Sequence, residues 1–182
     1  AIVVVGSSNT DMIIQAEQIP APGQTVLGGR FSTAAGGKGA NQAVAAARAG
    51  GRVALVARLG RDAFGDKALE GFAGDKIDTK HVVRDDREPS GVASIIVDAR
   101  GENAIAVAPG ANGRLSAADV EAARQTIERA AAAVLQLEVP MEAVIRAAEL
   151  GREAAAAVIL NPAPAQELPA ELLANVTVLT PN

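Results

Sequence analysis

A glycine-rich segment carries the strongest chemical signal in the chain. Residues 36–41 read Gly-Gly-Lys-Gly-Ala-Asn and lead into an alanine-rich stretch that predicts a helix over residues 40–49. Backbone N–H groups at a helix start, beside the Lys38 ammonium, can hold a ligand oxygen, and glycines let that ligand approach closely. The same pattern fits an ordinary helix start with a solvated lysine, so both interpretations stay open for the segment alone.

Two better-known glycine motifs do not fit this segment. A P-loop needs a glycine five residues before its Gly-Lys pair and a hydroxyl residue after the lysine, where Ser32 and Gly39 stand. The dinucleotide fingerprint needs a further Gly or Ala where Gln42 stands, and no predicted strand directly precedes the segment. This mismatch argues against a nucleotide-cofactor domain of the Rossmann type.

Polar side chains follow two predicted buried strands. Asn9 and Asp11 come after the strand over residues 2–5, and Glu138 follows the strand over residues 132–137. Ligands of open α/β sheets bind at the carboxyl ends of the strands. A carboxylate accepts hydrogen bonds from two neighbouring hydroxyls and an amide both donates and accepts, which suits a polyol. The alternatives are an Asx turn at Asn9 and a helix cap at Glu138.

Composition excludes several other chemistries. The 182 residues carry a net charge of −4, which argues against a nucleic-acid partner. There is no cysteine for a thiolate or a disulfide, and the single histidine, His81, argues against a three-histidine zinc site or a serine triad. We predict that His81 lies at the surface. No apolar run approaches the roughly 18 residues of a membrane span, so we expect a cytoplasmic protein without a membrane partner.

Strands and helices alternate along most of the chain. The strands are predicted at residues 2–5, 53–59, 132–137, 156–160 and 176–179. The helices are predicted at 40–49, 62–73, 116–129 and 141–152, with a helical turn at 169–174. This order predicts an α/β fold with a doubly wound, mostly parallel sheet and helices on both faces. The extended segments 11–14 and 25–34, and a hairpin over 90–97 and 103–107, fall outside the alternation.

Seven motifs together resemble the PfkB-type carbohydrate kinases in order and spacing. They span residues 6–11, 22–25, 36–43, 60–65, 110–112, 136–138 and 161–164, so that the resemblance covers all 182 residues. It implies that the chain is the N-terminal part of a kinase domain. Segments 11–34 and 90–107 would form a small β-sheet lid that closes over the sugar and pairs two subunits.

The resemblance also assigns site residues by position. The family's sugar-binding residues correspond to Asn9, Asp11, Gly37, Lys38, Asn41 and Glu138. Asn182 corresponds to the first residue of a family motif near the phosphates and magnesium. The family's second signature, Asp-Thr-x-Gly-Ala-Gly-Asp, supplies the catalytic base and would lie beyond residue 182. We therefore expect no catalytic residue in this chain, and no activity from it alone.

The implied activity is transfer of the γ-phosphoryl group of ATP to the 5-hydroxyl of D-ribose. Mg²⁺ is the implied cofactor, with a monovalent cation such as K⁺, and the implied assembly is a homodimer. Two alternatives stay open. The protein is another sugar or nucleoside kinase of the same family, or it is a sugar-binding module without catalysis. Because the last predicted strand would be an exposed apolar edge, we also expect the chain to be part of a longer polypeptide.

Overall fold

A computed structural model describes residues 1–181 of the chain. In chain order the strands are β1 (Ile2–Val5), β2 (Asn9–Gln15), β3 (Arg30–Gly36), β4 (Val53–Gly60), β5 (Asp78–Asp85), β6 (Gly91–Val97), β7 (Asn103–Ala108), β8 (Ala132–Leu135), β9 (Ala157–Leu160) and β10 (Val178–Leu179). The helices are α1 (Lys38–Arg48), α2 (Ala63–Gly74), α3 (Ala117–Ala122), α4 (Arg124–Glu128), α5 (Met141–Glu153) and α6 (Ala170–Leu173). A 3-10 helix spans Gly110–Arg114.

The larger sheet is parallel and confirms the predicted fold class. Its six strands run in the order β10-β9-β8-β1-β4-β5. Alternate side chains of β1 enter different cores, as the two-residue period of a strand requires. Val4 packs in the core that also contains residues of α1 and α2, whereas Val3 and Val5 pack in the core that contains residues of α3, α4 and α5. The helices therefore cover both faces of the sheet.

A separate smaller sheet has the order β3-β2-β6-β7. Strand β2 pairs antiparallel with β3 and parallel with β6, and the predicted hairpin is formed by β6 and β7. The extended segment predicted at residues 25–34 becomes a strand only from Arg30 onward. Gly23 and Gly28 have φ angles of 79° and 88°, a turn conformation that interrupts a strand.

Other elements differ from the sequence prediction. The sequence does not predict strand β5, because four of the eight residues in this sheet-edge strand are charged and only Val82 and Val83 are apolar. The strand makes His81 half-buried rather than a surface residue, and its ring nitrogen Nε2 lies 2.8 Å from the Thr126 hydroxyl. The single helix predicted over residues 116–129 is divided into α3 and α4 at Ala123. Within residues 1–181, no helix has the length and apolarity needed to cross a membrane.

Candidate functional site

The candidate site lies where the chain leaves the centre of the large sheet. Strand β1 is flanked by β4 on one side and β8 on the other, so the connections diverge at its carboxyl end. Such a divergence point is the usual ligand position in open α/β sheets. Residues 6–8 cross from there into β2, the first strand of the smaller sheet. The site is therefore built where the two sheets meet.

The Glu138 carboxylate is held at the start of α1. Its Oε2 accepts hydrogen bonds from the Ser7 hydroxyl at 2.6 Å and from the backbone N–H of Lys38 at 2.8 Å. Its Oε1 lies 3.8 Å from Nζ of Lys38. The first turn of α1 contains no acidic residue of its own, so Glu138 provides the negative charge that a helix N-terminus favours. The ammonium and the carboxylate thereby become neighbours.

Asp11 adds a second carboxylate to this region. It is half-buried on β2, and its carboxylate packs so closely on Gly36 that a Cβ at that position would collide with it. Burial raises the pKa of Asp11, and the negative charge of Glu138 raises that pKa further. A half-buried carboxylate is suited to accept hydrogen bonds from hydroxyl groups of a ligand.

Glycines bring the start of α1 against the loop after β1. Gly37 has a φ angle of 88°, and an added Cβ would lie 2.8 Å from the backbone nitrogen of Asn9. An added Cβ on Gly39 would lie 2.6 Å from the backbone nitrogen of Ser7. Ser7 in turn accepts hydrogen bonds from Gly39 and Ala40 through its hydroxyl and its carbonyl. The glycine-rich segment thus fixes Lys38 beside the β1–β2 connection.

Asn112 fixes the same connection from the other side. It lies in the 3-10 helix after β7 and its side chain is fully buried. Its Oδ1 accepts from the backbone N–H of Ser8 at 2.9 Å, and its Nδ2 donates to the Ser8 carbonyl at 3.1 Å. The same Nδ2 donates to Oδ1 of Asn9 at 2.8 Å.

A cavity of about 510 Å³ adjoins the site between the smaller sheet, α1 and α2. Asn9, Gly36 and Asn41 line it, together with apolar side chains of the two helices that include Phe64 and Phe72. The cavity lining extends from there to Arg48 and Asp75, which form a two-fold hydrogen-bonded ion pair. The cavity therefore offers polar groups at two places and an apolar wall between them.

The structure brings several predicted site residues together. Lys38 and Glu138 are in direct contact, and Gly37 caps the helix that carries Lys38. Asp11 is close enough to Glu138 for the charge of that carboxylate to raise the pKa of Asp11. The cavity lining does not include Asp11, Lys38 or Glu138. Their binding roles remain predictions.

Two predicted residues stand apart from that contact. Asn41 is exposed on α1 and lines the cavity. Asn182, the predicted nucleotide contact, lies outside the described residues.

Sequence reasoning gave no role to Ser7 or Asn112. Both lie in motifs that carry the family resemblance, Ser7 in the Gly-Ser-Ser-Asn stretch and Asn112 in the Gly-Ala-Asn stretch. A buried hydroxyl or amide that joins distant loops leaves no spacing signal, because its partners are 104 and 131 residues away in the chain. Among residues 1–181, no group of three or more His, Cys, Asp or Glu side chains is arranged to hold a metal ion.

The sequence matches one protein family and is similar to two curated kinases. The chain matches the pfkB family carbohydrate kinases over residues 1–182. It is 41% identical over 181 residues to the ribokinase of Haemophilus influenzae, covering 100% of this chain and 59% of that protein. It is 40% identical over 164 residues to the deoxyribokinase of Salmonella typhi, covering 90% of this chain and 54% of that protein.

Solved structures agree with these relatives. The structure of Arabidopsis thaliana ribokinase complexed with ribose and ATP superposes with a TM-score of 0.86 at 33% identity, covering 99% of this chain and 59% of that one. The chain thus spans little more than half the length of the proteins it matches. The family match over its whole length, and the fold it shares with these kinases, show that the chain belongs to the pfkB family of carbohydrate kinases.

Proposed function

We propose that the chain provides the sugar site of an ATP-dependent sugar kinase that phosphorylates D-ribose at its 5-hydroxyl. The observation that carries this proposal is the contact between Lys38 and Glu138 at the carboxyl end of β1, with the Asp11 carboxylate packed on the nearby Gly36. Two carboxylates and an ammonium in one half-buried place suit a neutral ligand with several hydroxyl groups. The similarity to ribokinases supports D-ribose as that ligand.

The residues of this chain would bind and orient the acceptor. Asp11 accepts hydrogen bonds from sugar hydroxyls, while Asn9 and Asn41 contribute amides. Lys38 donates to a sugar oxygen and is held in place by Glu138. Phosphoryl transfer depends mostly on positioning and charge stabilisation, so a rigid acceptor site contributes directly to the rate. We assign no catalytic base to residues 1–181.

ATP is the proposed phosphoryl donor, and a ribokinase solved with ribose and ATP supports it. When bound, Mg²⁺ would neutralise charge on the phosphates. Within residues 1–181, no group of three or more His, Cys, Asp or Glu side chains is arranged to hold a metal ion. We therefore assign no Mg²⁺ ligand to these residues. A monovalent cation such as K⁺ stays a prediction from the family resemblance.

The smaller sheet is the proposed lid and dimer surface. It exposes large apolar side chains on both faces. Phe31 at 65% exposure and its cross-strand partner Ile14 at 40% lie on one face, and Ile105 at 57% and Val107 at 54% lie on the other. Contiguous exposed apolar side chains mark interaction surfaces more often than free surface. We propose that two copies pair through these strands and that the sheet closes over the sugar, which excludes water from the reaction.

2-Deoxy-D-ribose is a second candidate acceptor. The observation that favours it is the 40% identity to a deoxyribokinase, close to the 41% identity to a ribokinase. The two sugars differ by one hydroxyl group, and a site that hydrogen-bonds this hydroxyl discriminates strongly against the sugar that lacks it.

The test is sugar-dependent formation of ADP by the protein at its natural length. D-Ribose, 2-deoxy-D-ribose, D-fructose and adenosine are compared at equal concentration with ATP and Mg²⁺. We expect the highest kcat/KM with D-ribose. The highest value with 2-deoxy-D-ribose would select the second candidate, and the absence of stimulation by every acceptor would contradict a sugar kinase.

A further inference from the structure

The Gly-Ala-Asn motif at residues 110–112 reaches the site only through the β1–β2 connection, and its asparagine is among the most buried polar residues of the described chain. Asn112 is 1% exposed and Ser8 is 2% exposed. Both polar atoms of the Asn112 side chain are used on the short connection between β1 and β2. A buried amide whose hydrogen bonds are all satisfied holds its surroundings in one arrangement.

The orientation of the Asn112 amide follows from backbone groups whose chemistry is unambiguous. The Ser8 N–H can only donate, so the atom 2.9 Å from it is an oxygen of Asn112. The Ser8 carbonyl can only accept, so the atom 3.1 Å from it is the Asn112 nitrogen. The two amide atoms of Asn112 therefore cannot exchange places without losing both hydrogen bonds.

This orientation determines that of Asn9. Because Nδ2 of Asn112 also donates to the Asn9 side chain, the Asn9 atom 2.8 Å away must be its oxygen. Gly91 leaves the space for this contact, since a Cβ there would collide with both amides. Within residues 1–181, Nδ2 of Asn9 has no hydrogen-bond acceptor and is not enclosed, while Asn9 lines the 510 Å³ cavity. Asn9 thus has its acceptor occupied and its donor free.

We infer that Asn112 is a positioning residue that makes Asn9 a hydrogen-bond donor to the sugar. Asn9 then binds a hydroxyl through the hydroxyl oxygen, whereas Asp11 binds a hydroxyl through its hydrogen. A donor and an acceptor on one strand, two residues apart, fix which way the bound hydroxyl groups point. The inference rests on the proposed function, because it assigns the polarity of that same sugar site.

The decisive experiment is a double-mutant cycle on sugar affinity. D-Ribose is titrated calorimetrically into the natural-length protein and into Asn112→Asp, Asn9→Ala and the double variant. An aspartate at position 112 still accepts from the Ser8 N–H but cannot donate to Asn9, so the Asn9 amide turns and presents its oxygen. We expect Asn112→Asp to weaken D-ribose binding about tenfold. In the Asn9→Ala background the same change should alter affinity by less than about twofold.

The control variant is Asn175→Asp, the same chemical change at the end of α6, where the amide donates to the Glu171 carbonyl. It should leave D-ribose affinity unchanged. If Asn112→Asp weakened D-ribose binding equally in the wild-type and Asn9→Ala backgrounds, the inference would be overturned. Asn112 would then act through the fold in general. No binding of any sugar by the unmodified protein would instead overturn the proposed function, and the inference with it.

A second measurement needs no substitution at position 112. In a ¹⁵N-labelled sample, the Asn9 side-chain NH₂ signal is assigned by its loss in Asn9→Ala. Saturation with D-ribose should shift this signal, because the amide hydrogens face the ligand. An unshifted signal in a protein that binds the sugar would contradict the inference even if Asn112→Asp does not fold.

Discussion

At the scale of single residues, folding disfavours the carboxylate charge that the proposed sugar site needs. Asp11 is half-buried near Glu138, and both burial and that neighbouring charge raise its pKa. An acid whose folded-state pKa is raised above its ordinary value of 3.8 destabilises the folded state at neutral pH. This cost is relieved as the pH falls through the raised pKa. Such costs are common at binding sites.

Asp11→Asn should therefore have opposite effects on stability and on binding. We expect a higher unfolding midpoint than wild type at pH 7 without ligand, because the buried charge is gone. We expect D-ribose affinity to fall about tenfold or more, since hydrogen bonds to charged groups contribute about 1.5–3 kcal/mol. Thermal unfolding and calorimetric titration measure the two effects. Glu17→Gln, at an exposed position, is the control, and a variant less stable than wild type would contradict the account.

Two helical glycines provide a matched test of the close approach at the α1 start. A Cβ on Gly39 would lie 2.6 Å from backbone of Ser7, whereas a Cβ on Gly71 of α2 meets nothing within 4 Å. Gly39→Ala should destabilise the protein by about 1–3 kcal/mol because the backbone must shift. Gly71→Ala should stabilise it by about 0.5–1 kcal/mol through helix propensity. If Gly39→Ala and Gly71→Ala changed the free energy of unfolding in urea equally, the start of α1 would not pack closely on the β1–β2 connection.

The sequence predicted the charged members of the candidate site better than the residues that hold them. The family resemblance assigned Lys38 and Glu138 to one sugar site, and the two side chains are in contact. Ser7 and Asn112 were not assigned roles, because their importance arises from partners more than 100 residues away. Chemistry can be predicted from residue type and local position, but long-range support requires the three-dimensional structure.

At the scale of elements, an ion-pair cluster joins β4, β5 and the 3-10 helix that carries Asn112. Asp85, 2% exposed at its side chain, lies 2.7 Å from Nε of Arg58 and 3.2 Å from Nε of Arg114. It also accepts hydrogen bonds from the backbone N–H groups of Arg87 and Glu88. These backbone hydrogen bonds, and then Arg58, lower the pKa of Asp85.

The stability contributed by Asp85 should depend on pH with a definite sign. A lowered folded-state pKa contributes stability that is complete above the ordinary value of 3.8 and is lost as the pH falls toward the lowered value. Asp85→Asn should therefore lower the urea midpoint at pH 7, and the difference from wild type should shrink below about pH 4. The control is Asp86→Asn, because the Asp86 side chain is exposed and, within residues 1–181, forms an ion pair only with Arg61. A difference that stays constant down to pH 3 would contradict the account.

Elements with a clear apolar period were predicted well, and elements set by tertiary contacts were not. The buried strands β1 and β4 and the helix α5 lie where their apolar patterns indicate. Strand β5 gives no apolar period, because half of its residues are charged and it lies at a sheet edge. The break at Ala123 between α3 and α4 has no Gly or Pro to signal it, and arises where both short helices pack on α5.

At the scale of the whole molecule, the exposed apolar side chains on the faces of the smaller sheet predict self-association. Phe31→Lys should shift the protein from dimer to monomer, because a charge beside the exposed Ile14 disfavours burial of that face against a second copy. Sedimentation velocity with interference optics measures the change, which suits a chain without Trp or Tyr. Lys80→Glu, at an exposed position of β5 on the edge of the larger sheet, is the charge-change control. A wild-type monomer at micromolar concentration would contradict a lid-mediated dimer.

The most direct test of the central claim is a crystal structure of the protein with D-ribose. The account predicts the sugar between β2 and the start of α1. The Asp11 carboxylate should accept hydrogen bonds from two sugar hydroxyls at about 2.5–2.7 Å, with Lys38 and Asn9 donating to sugar oxygens. A sugar bound elsewhere, such as beside Arg48 and Asp75 at the far part of the cavity, or bound without contact to Asp11 and Lys38, would contradict the account.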